Sequence, residues 1–355
     1  MSFAAGPDQS ECRISVNMGL DAGQVPKGEV MSAATGTDVG SAEFARLAGP
    51  LRADLLAHCY RMLGSVHDAE DQVQETMLRA WRGYGEFEGR SSLRTWLYRI
   101  ATNACLRAIE NRARRPLPSG LADPSQDAAG PLASPAPEAL WLQPIPDRLL
   151  QDDPATVVAG REDVRLAFIA ALQYLPGRQR AVLILRDVLG WRAAEVAELL
   201  GTSTVAVNSA LQRARARLAQ VSPRRDEPAE LPDPRSRALL DRYAAAFEQA
   251  DVDAMLDLLT SDATFEMPPV PTWFAGREVI AAFLRARVLR EPGAFRMVAA
   301  AANGQPGFAA YLRDRDGVHR AHGIQVLTVR NGRIAAVVSV HEPSLFAPFG
   351  LPPEL

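Results

Sequence analysis

Along residues 44–115 apolar side chains return at three- and four-residue steps, the period of a helix with one buried face. Leu55, Cys59, Met62 and Leu63 form a first stripe, and Gly64 is placed to end that helix. The next is expected to begin at Ser65-Val66-His67-Asp68, with Val66, Ala69, Val73, Met77 and Ala80 turned inward and Asp71, Gln74, Glu75 and Arg82 on the opposite face. The turn-rich stretch YGEFEGRSS separates it from a third helix starting near Leu93, where Trp96, Leu97, Ile100, Ala104 and Ile109 alternate with Arg94, Arg99, Asn103 and Arg107.

A second helical pattern occupies LPGRQRAVLILRDVLGWRAAEVAELLGTSTVAVNSALQRARARL, residues 175–218, with Val164, Phe168, Leu172 and Leu175 as a packing helix in front of it. Within it, Ala193–Leu200 and Thr204–Ala219 read as two helices separated by Gly201, Thr202 and Ser203. Glycine suits the end of the first, and Ser203 suits the N-cap of the second. In the second helix Val207, Leu211, Ala214 and Leu218 make one apolar stripe, whereas Thr204, Asn208, Ser209, Gln212, Arg213 and Arg217 lie on the other side. That is the pattern of a helix-turn-helix: short polar and amide side chains can meet base edges in the major groove while arginines reach phosphates.

The last third changes period. SRALLDRYAAAFEQA and DVDAMLDLL are helical, DATFEM is a short strand, and GREVIAAFLRARV is a helix. AFRMVAAAANG, GFAAYLRD and VHRAHGIQVLTVRNGRIAAVVSV are strand candidates, the last folded at Asn331-Gly332, a strong hairpin signal. Helices segregated from an antiparallel sheet predict an α+β cone or roll. The expected fold class is therefore multidomain, two all-α bundles followed by an α+β domain. Cones of this kind usually enclose a pocket, for which Tyr243, Phe265, Met267, Trp273, His322 and His341 are lining candidates, with Glu266 and Asp262 near its mouth. A small ligand there is one expectation. Catalysis is not expected, since no nucleophile–base pair or metal cluster can be named, and no cofactor is implied.

Composition refines this. The 355 residues suffice for two or three domains, and 47% hydrophobic with 23% charged residues is ordinary for a soluble protein. No apolar run approaches a membrane span and the N-terminus lacks a secretion-signal pattern, so a cytoplasmic protein is expected. Cys12, Cys59 and Cys105 are far apart and suit neither a disulfide framework nor a zinc site. The formal net charge is −3, yet residues 176–225 hold nine arginines against three acids. A basic segment in an acidic chain is the footprint of a polyanionic partner. The single lysine, Lys27, shows that part of this excess reflects an arginine-rich composition overall.

These readings divide the chain into a disordered extension at 1–40 (Met31 being an alternative start), a helical domain at 41–115, an acidic Pro- and Ala-rich linker at 116–160, the helix-turn-helix domain at 161–222, a break at 223–234, the α+β domain at 235–345 and a tail at 346–355. The linker reads either as a passive extended tether or as an acidic strand for a basic channel in a partner.

Three stretches, LLAHCYRMLGSVHDAEDQVQETMLRAW, FEGRSSLRTWLYRIATNACL and the helix-turn-helix segment, resemble regions 2 and 4 of the extracytoplasmic-function bacterial sigma factors, in that order. The third unit resembles the SnoaL-like polyketide-cyclase fold, which one branch of those sigma factors carries at its C-terminus; FGLPPEL at the end is similar to that branch. The resemblance implies core RNA polymerase and promoter DNA as partners, with no membrane. It implies that Asp71, Gln74 and Glu75 dock on the polymerase clamp. It implies that the loop 87–92, with Arg90 and Ser91, and the helix bearing Trp96, Asn103 and Arg107 capture an unpaired base and melt the proximal element. Residues Ser203 to Arg215, among them Thr204, Ala206, Asn208, Ser209, Gln212 and Arg213, match the helix that reads the distal element. Many relatives carry a basic residue where this chain has Asn208 and Ala210. Burial in the three-helix core is the alternative role for Trp96. The C-terminal unit is expected to regulate in cis. A ligand-responsive repressor and an enzyme with a DNA-binding appendage are the competing readings.

Overall fold

The computed structural model describes residues 42–110, 114–134, 140–150, 161–221 and 234–355. The expected extension at 1–40, with Lys27 and Met31, and nearly all of the break at 223–234 lie outside the described residues.

Gly64 sits in the left-handed region (φ 67°) and closes α1 (Arg52–Leu63), and the Ser65 hydroxyl accepts the Asp68 backbone N–H to start α2 (Val66–Gly83). With α3 (Leu93–Glu110) these form the first bundle. Its core includes Leu55, Cys59, Met62, Val66, Val73, Leu97 and Cys105, all without measurable exposure. A Cβ on Gly64 would lie 2.7 Å from Leu142 Cδ1 and 3.0 Å from Gln173 Nε2, so the glycine also lets the linker and the second bundle approach.

The second bundle comprises α4 (Leu166–Leu172), α5 (Gly177–Leu183), α6 (Ala193–Leu200) and α7 (Thr204–Val221). Gly201 (φ 60°) ends α6 and the Ser203 hydroxyl accepts the Ala206 N–H, the caps that the residue types predict. Val207, Leu211 and Ala214 are buried, and they hold α7 against α5 and α6.

The third unit runs α8 (Pro234–Glu248), α9 (Val252–Leu258), β1 (Leu259–Met267), β2 (Val270–Ala275), α10 (Arg277–Phe283), β3 (Phe295–Ala302), β4 (Gln305–Arg313), β5 (His319–Arg330), β6 (Arg333–Val340) and α11 (Phe346–Phe349). The strands form one sheet in the order β2-β1-β6-β5-β4-β3, antiparallel except for the β1–β6 pair. Asn331 and Gly332, at φ 51° and 68°, turn β5 into β6 as expected. Asn303 and Gly304, at φ 58° and 68°, do the same between β3 and β4, an Asn-Gly turn concealed between two separate strand candidates. β2 is the strand that sequence reading missed. Pro268 and Pro269 just ahead of it and Pro271 within it mask the alternation, and it survives as an edge strand where a missing N–H is tolerated.

Both faces of the sheet are apolar. Phe295, Phe308, Leu327 and Val337 pack with Tyr243, Phe247 and Phe283 of the unit's own helices. Ala302, Ala309, Val326 and Val338 instead join the apolar cluster that runs through both helical bundles.

The described parts of the linker pack against the fold. Leu117, Trp141, Leu142, Ile145 and Leu150 are buried. Ser125 N–H donates to Trp273 O at 2.8 Å along the edge strand, and Trp273 Nε1 donates to Ala122 O at 2.7 Å. The tail is not loose either. Leu345, Phe346 and Phe349 are buried, and Pro353 O accepts the Ala321 N–H at 2.8 Å, covering the part of β5 that β6 leaves unpaired.

Candidate nucleic-acid interface

α7 presents Thr204, Val205, Ala206, Asn208, Gln212 and Arg213 to solvent, with Ser203 exposed just ahead of them and Ser209 half-buried. Val205, which the pattern of polar positions passed over, is 73% exposed. An apolar side chain so exposed at the start of a groove-sized helix has no packing role in the chain itself. Arg215 differs from the other candidates: Asp187 holds it through two hydrogen bonds of 2.9 and 2.7 Å, which raises its pKa. A phosphate contact by Arg215 would have to compete with that pair.

On α2, Asp71 and Gln74 are exposed and Glu75 is half-buried, its carboxylate taking Arg79 Nε at 2.5 Å. Leu78 and Trp81 lie on this same face and are 49% and 51% exposed. They sit outside the stripe through Val73 and Met77, a phase difference legible in the sequence that the search for polar candidates ignored. The face is therefore mixed, acidic and amide groups around two apolar knobs.

On α3, Asn103 and Arg107 are exposed, and Trp96 falls on their side of the helix. Trp96 is half-buried, packed against the core with its ring 4.9 Å from that of Phe87. Arg90 is exposed and pairs with Glu88 at 2.6 Å, while Ser91 is half-buried. The opposite side of α3 meets the second bundle. Tyr98 packs on Trp191 at 5.3 Å, Arg94 lies over both rings at 5.0 and 6.0 Å, and Arg99 donates to Glu198 of α6 at 3.0 Å. The exposed faces of α3 and α7 are thus left bare while the bundles that bear them are held together.

The pocket candidates of the third unit divide between its buried core and its sheet edge. Tyr243, Phe265 and Met267 belong to the closed core, and the Tyr243 hydroxyl donates to Gln325 Oε1 at 2.8 Å. Burial raises its pKa beyond the tyrosine range. Trp273 faces the linker rather than a cavity. His322 and His341 do come together, rings 4.6 Å apart, with Ser339 Oγ 3.1 Å from His341 Nε2. Burial lowers the pKa of both, His341 to about 4, so the pair is neutral near pH 7. Glu266 is buried and accepts the Ser119 N–H at 2.8 Å, with its pKa raised by desolvation. Asp262 pairs with Arg330. Among the described residues no group of three His, Cys, Asp or Glu side chains is placed to hold a metal, and no helix is long and apolar enough to cross a membrane.

Three family models match in succession: Sigma-70 region 2 over residues 47–115, Sigma-70 region 4 over 165–218 and a SnoaL-like domain over 240–337. The chain is 52% identical over 318 residues to the ECF RNA polymerase sigma factor SigG of Mycobacterium tuberculosis, covering 88% of this chain and 85% of that one. It belongs to the ECF sigma factors. SigJ of the same organism is 30% identical, across 83% of this sigma factor and 91% of SigJ. The crystal structure of SigJ superposes with a TM-score of 0.57 at 27% identity, covering 88% of this sigma factor and 99% of SigJ. The resemblance to sigma regions 2 and 4 and to a SnoaL-like domain therefore holds in that order.

Proposed function

We propose that this sigma factor binds core RNA polymerase through the α2 face around Asp71, Gln74, Glu75, Leu78 and Trp81. It captures an extruded promoter base beside Trp96, Asn103 and Arg107, with Arg90 and Ser91 on the adjoining loop. It reads the distal element with the exposed face of α7 from Ser203 to Arg213. An amide such as Asn208 or Gln212 suits adenine, and Arg213 suits guanine or phosphate. The arrangement described here is its shut form, in which the C-terminal domain regulates in cis. Its place of action is the cytoplasm, and it performs no catalysis of its own.

The observation that carries the shut-form reading is the junction at Asn303. This residue is fully buried at the tip of the β3–β4 hairpin. Its side-chain amide donates to the Tyr60 hydroxyl of α1 at 2.8 Å and to Val164 O, just ahead of α4, at 2.7 Å, and its Oδ1 accepts the Ile145 N–H of the linker at 3.0 Å. One side chain thereby ties both promoter-binding bundles and the segment joining them to the C-terminal domain. The linker, pinned along the sheet edge, cannot pay out while this junction holds. A machine that must set the two bundles at the spacing of two promoter elements has to undo it.

Run-off transcription with core polymerase, on DNA from upstream of the chain's own gene, tests both parts. Failure of every template to open with the full-length chain would overturn the promoter-directing role. Asn303→Ala leaves buried Ile145 N–H and Val164 C=O groups unpaired, at a cost of about 2 kcal/mol. That shifts a shut–open equilibrium by up to about thirtyfold, so higher output is expected from the variant and from a chain truncated after Val221. Unchanged output from both would remove the regulatory reading and leave the first intact.

A further inference from the structure

At the seam between the two helical bundles lies a cavity of about 180 Å³ walled by Leu63 and Ile109 and by three arginines, Arg114, Arg115 and Arg180, with Asp68 as the one acid. It exceeds the roughly 150 Å³ that admits a benzene-sized guest in an engineered protein cavity. Arg115 is 8% exposed and is balanced: it donates to Asp68 at 2.6 Å and to Trp141 O at 2.9 Å. Among the described residues the other two pair with no carboxylate. Arg180, 4% exposed, donates to Met62 O, to Gln173 Oε1 at 2.8 Å, to Gln173 O at 3.2 Å and to Leu175 O at 3.1 Å, all neutral acceptors. Its Nε is buried with no partner. Arg114 is exposed, with its guanidinium 4.2 Å from the Tyr174 ring centroid and Nη2 3.4 Å from Gly120 O.

A buried guanidinium held only by carbonyl dipoles retains much of its desolvation cost, and burial lowers the Arg180 pKa to about 10. Buried Arg180 and exposed Arg114, neither paired with a carboxylate among the described residues, together with Arg115 leave the cavity with an excess of positive charge over Asp68 that calls for a compact anion. Guanidinium forks match phosphate oxygens in geometry and charge. We propose that this cavity binds a small phosphate-bearing anion, held by Arg114, Arg115 and Arg180 between the two helical bundles. Leu63, Asp68 and Ile109 come from the first bundle, and Gln173 and Arg180 from the second, so an occupant contacts both. On the shut-form reading above, it would also slow their separation.

Titration calorimetry on the full-length chain tests the site, with inorganic phosphate, pyrophosphate and glycerol phosphate compared against sodium chloride at matched ionic strength. Saturable one-to-one binding is expected. It should bring hydrogen-exchange protection at 106–110 and 173–180, and Arg114→Gln should weaken it at least about tenfold, as the loss of one charge-assisted contact would. Arg114 is exposed, so the variant keeps the fold. Tighter binding of glycerol phosphate than of free phosphate would identify an ester as the natural occupant, and the reverse would identify the free ion. The proposal is overturned by heats no larger than those of chloride, by an Arg114→Gln variant that binds as the parent does, or by protection elsewhere. Displacement of pyrophosphate by a short DNA duplex would also overturn it, assigning these arginines to the DNA backbone. None of these readouts involves transcription, so failure here leaves the shut-form reading standing.

Discussion

The two faces of the C-terminal sheet make opposite use of the same alternation. On the inner face Phe295, Phe308, Leu327 and Val337 meet aromatic side chains from α8 and α10, and the result is an ordinary α+β core that belongs to one domain. On the outer face Ala302, Ala309, Val326 and Val338 are smaller, with Tyr311 and Ile324 as larger exceptions, and they lie in the cluster shared with α1, the linker, the second bundle and the tail. Large interdigitating rings make a core that is costly to open. Small side chains capped by hydrogen bonds, such as those of Asn303, make a contact that can part and re-form. The inner face is suited to stability and the outer face to docking, and one strand pattern supplies both.

The sharpest way to break the comparison is from the inside. Phe308→Ala should cost about 3–5 kcal/mol and lower hydrogen-exchange protection of β3–β6 and α8 first, leaving α1–α3 protected. Equal loss across all three units would mean that the two faces belong to one cooperative core.

Acid probes the same face. His341 has its pKa lowered from 6.5 to about 4 by burial and by His322. A base with a depressed folded pKa contributes stability that is complete above its unfolded pKa and is lost as pH falls toward the folded one. About 3 kcal/mol should therefore disappear between pH 6.5 and 4. His341→Asn should flatten that slope in a series of thermal melts, and an unaltered slope would assign the acid sensitivity elsewhere.

On the outer face, Ile324→Val should cost only about 1 kcal/mol yet raise exchange at Val164–Leu172 and along the linker, as a docking contact would. No change outside the sheet would mean that this face packs without coupling the units.

The smallest effect is expected at Glu266, where burial raises the carboxyl pKa. Stability from such a group is present below its unfolded pKa, near 4.3, and declines as pH rises through the folded value. Glu266→Gln should thus stabilise the chain at pH 8 and make no difference at pH 4, as read from chemical denaturation midpoints. Stabilisation at both values would point to packing rather than charge.

Much of this was readable in the chain. The caps at Gly64, Ser65, Gly201 and Ser203 and the stripe Val207–Leu211–Ala214 are local, set by residue type and a 3.6-residue period, and they appear where expected. The Asn331-Gly332 turn is local too. The bare faces of α2 and α7 follow from the same period, and Leu78, Trp81 and Val205 on them are apolar residues that a polar pattern does not mark.

What the chain alone determined, then, is the set of helices, caps and turns, the order of sigma regions 2 and 4 before a SnoaL-like domain, and the residue types on the exposed face of α7. Tertiary structure decided that the linker is pinned, that the tail covers β5, that Arg215 is committed to Asp187 and that Asn303 joins three units. It also decided that Tyr243, Phe265 and Met267 are buried in one cluster with the helices of the C-terminal unit. The reason is range. A cap or a stripe is settled by neighbours within a few residues, whereas a buried amide 139 positions from the carbonyl it satisfies is specified only when distant segments meet.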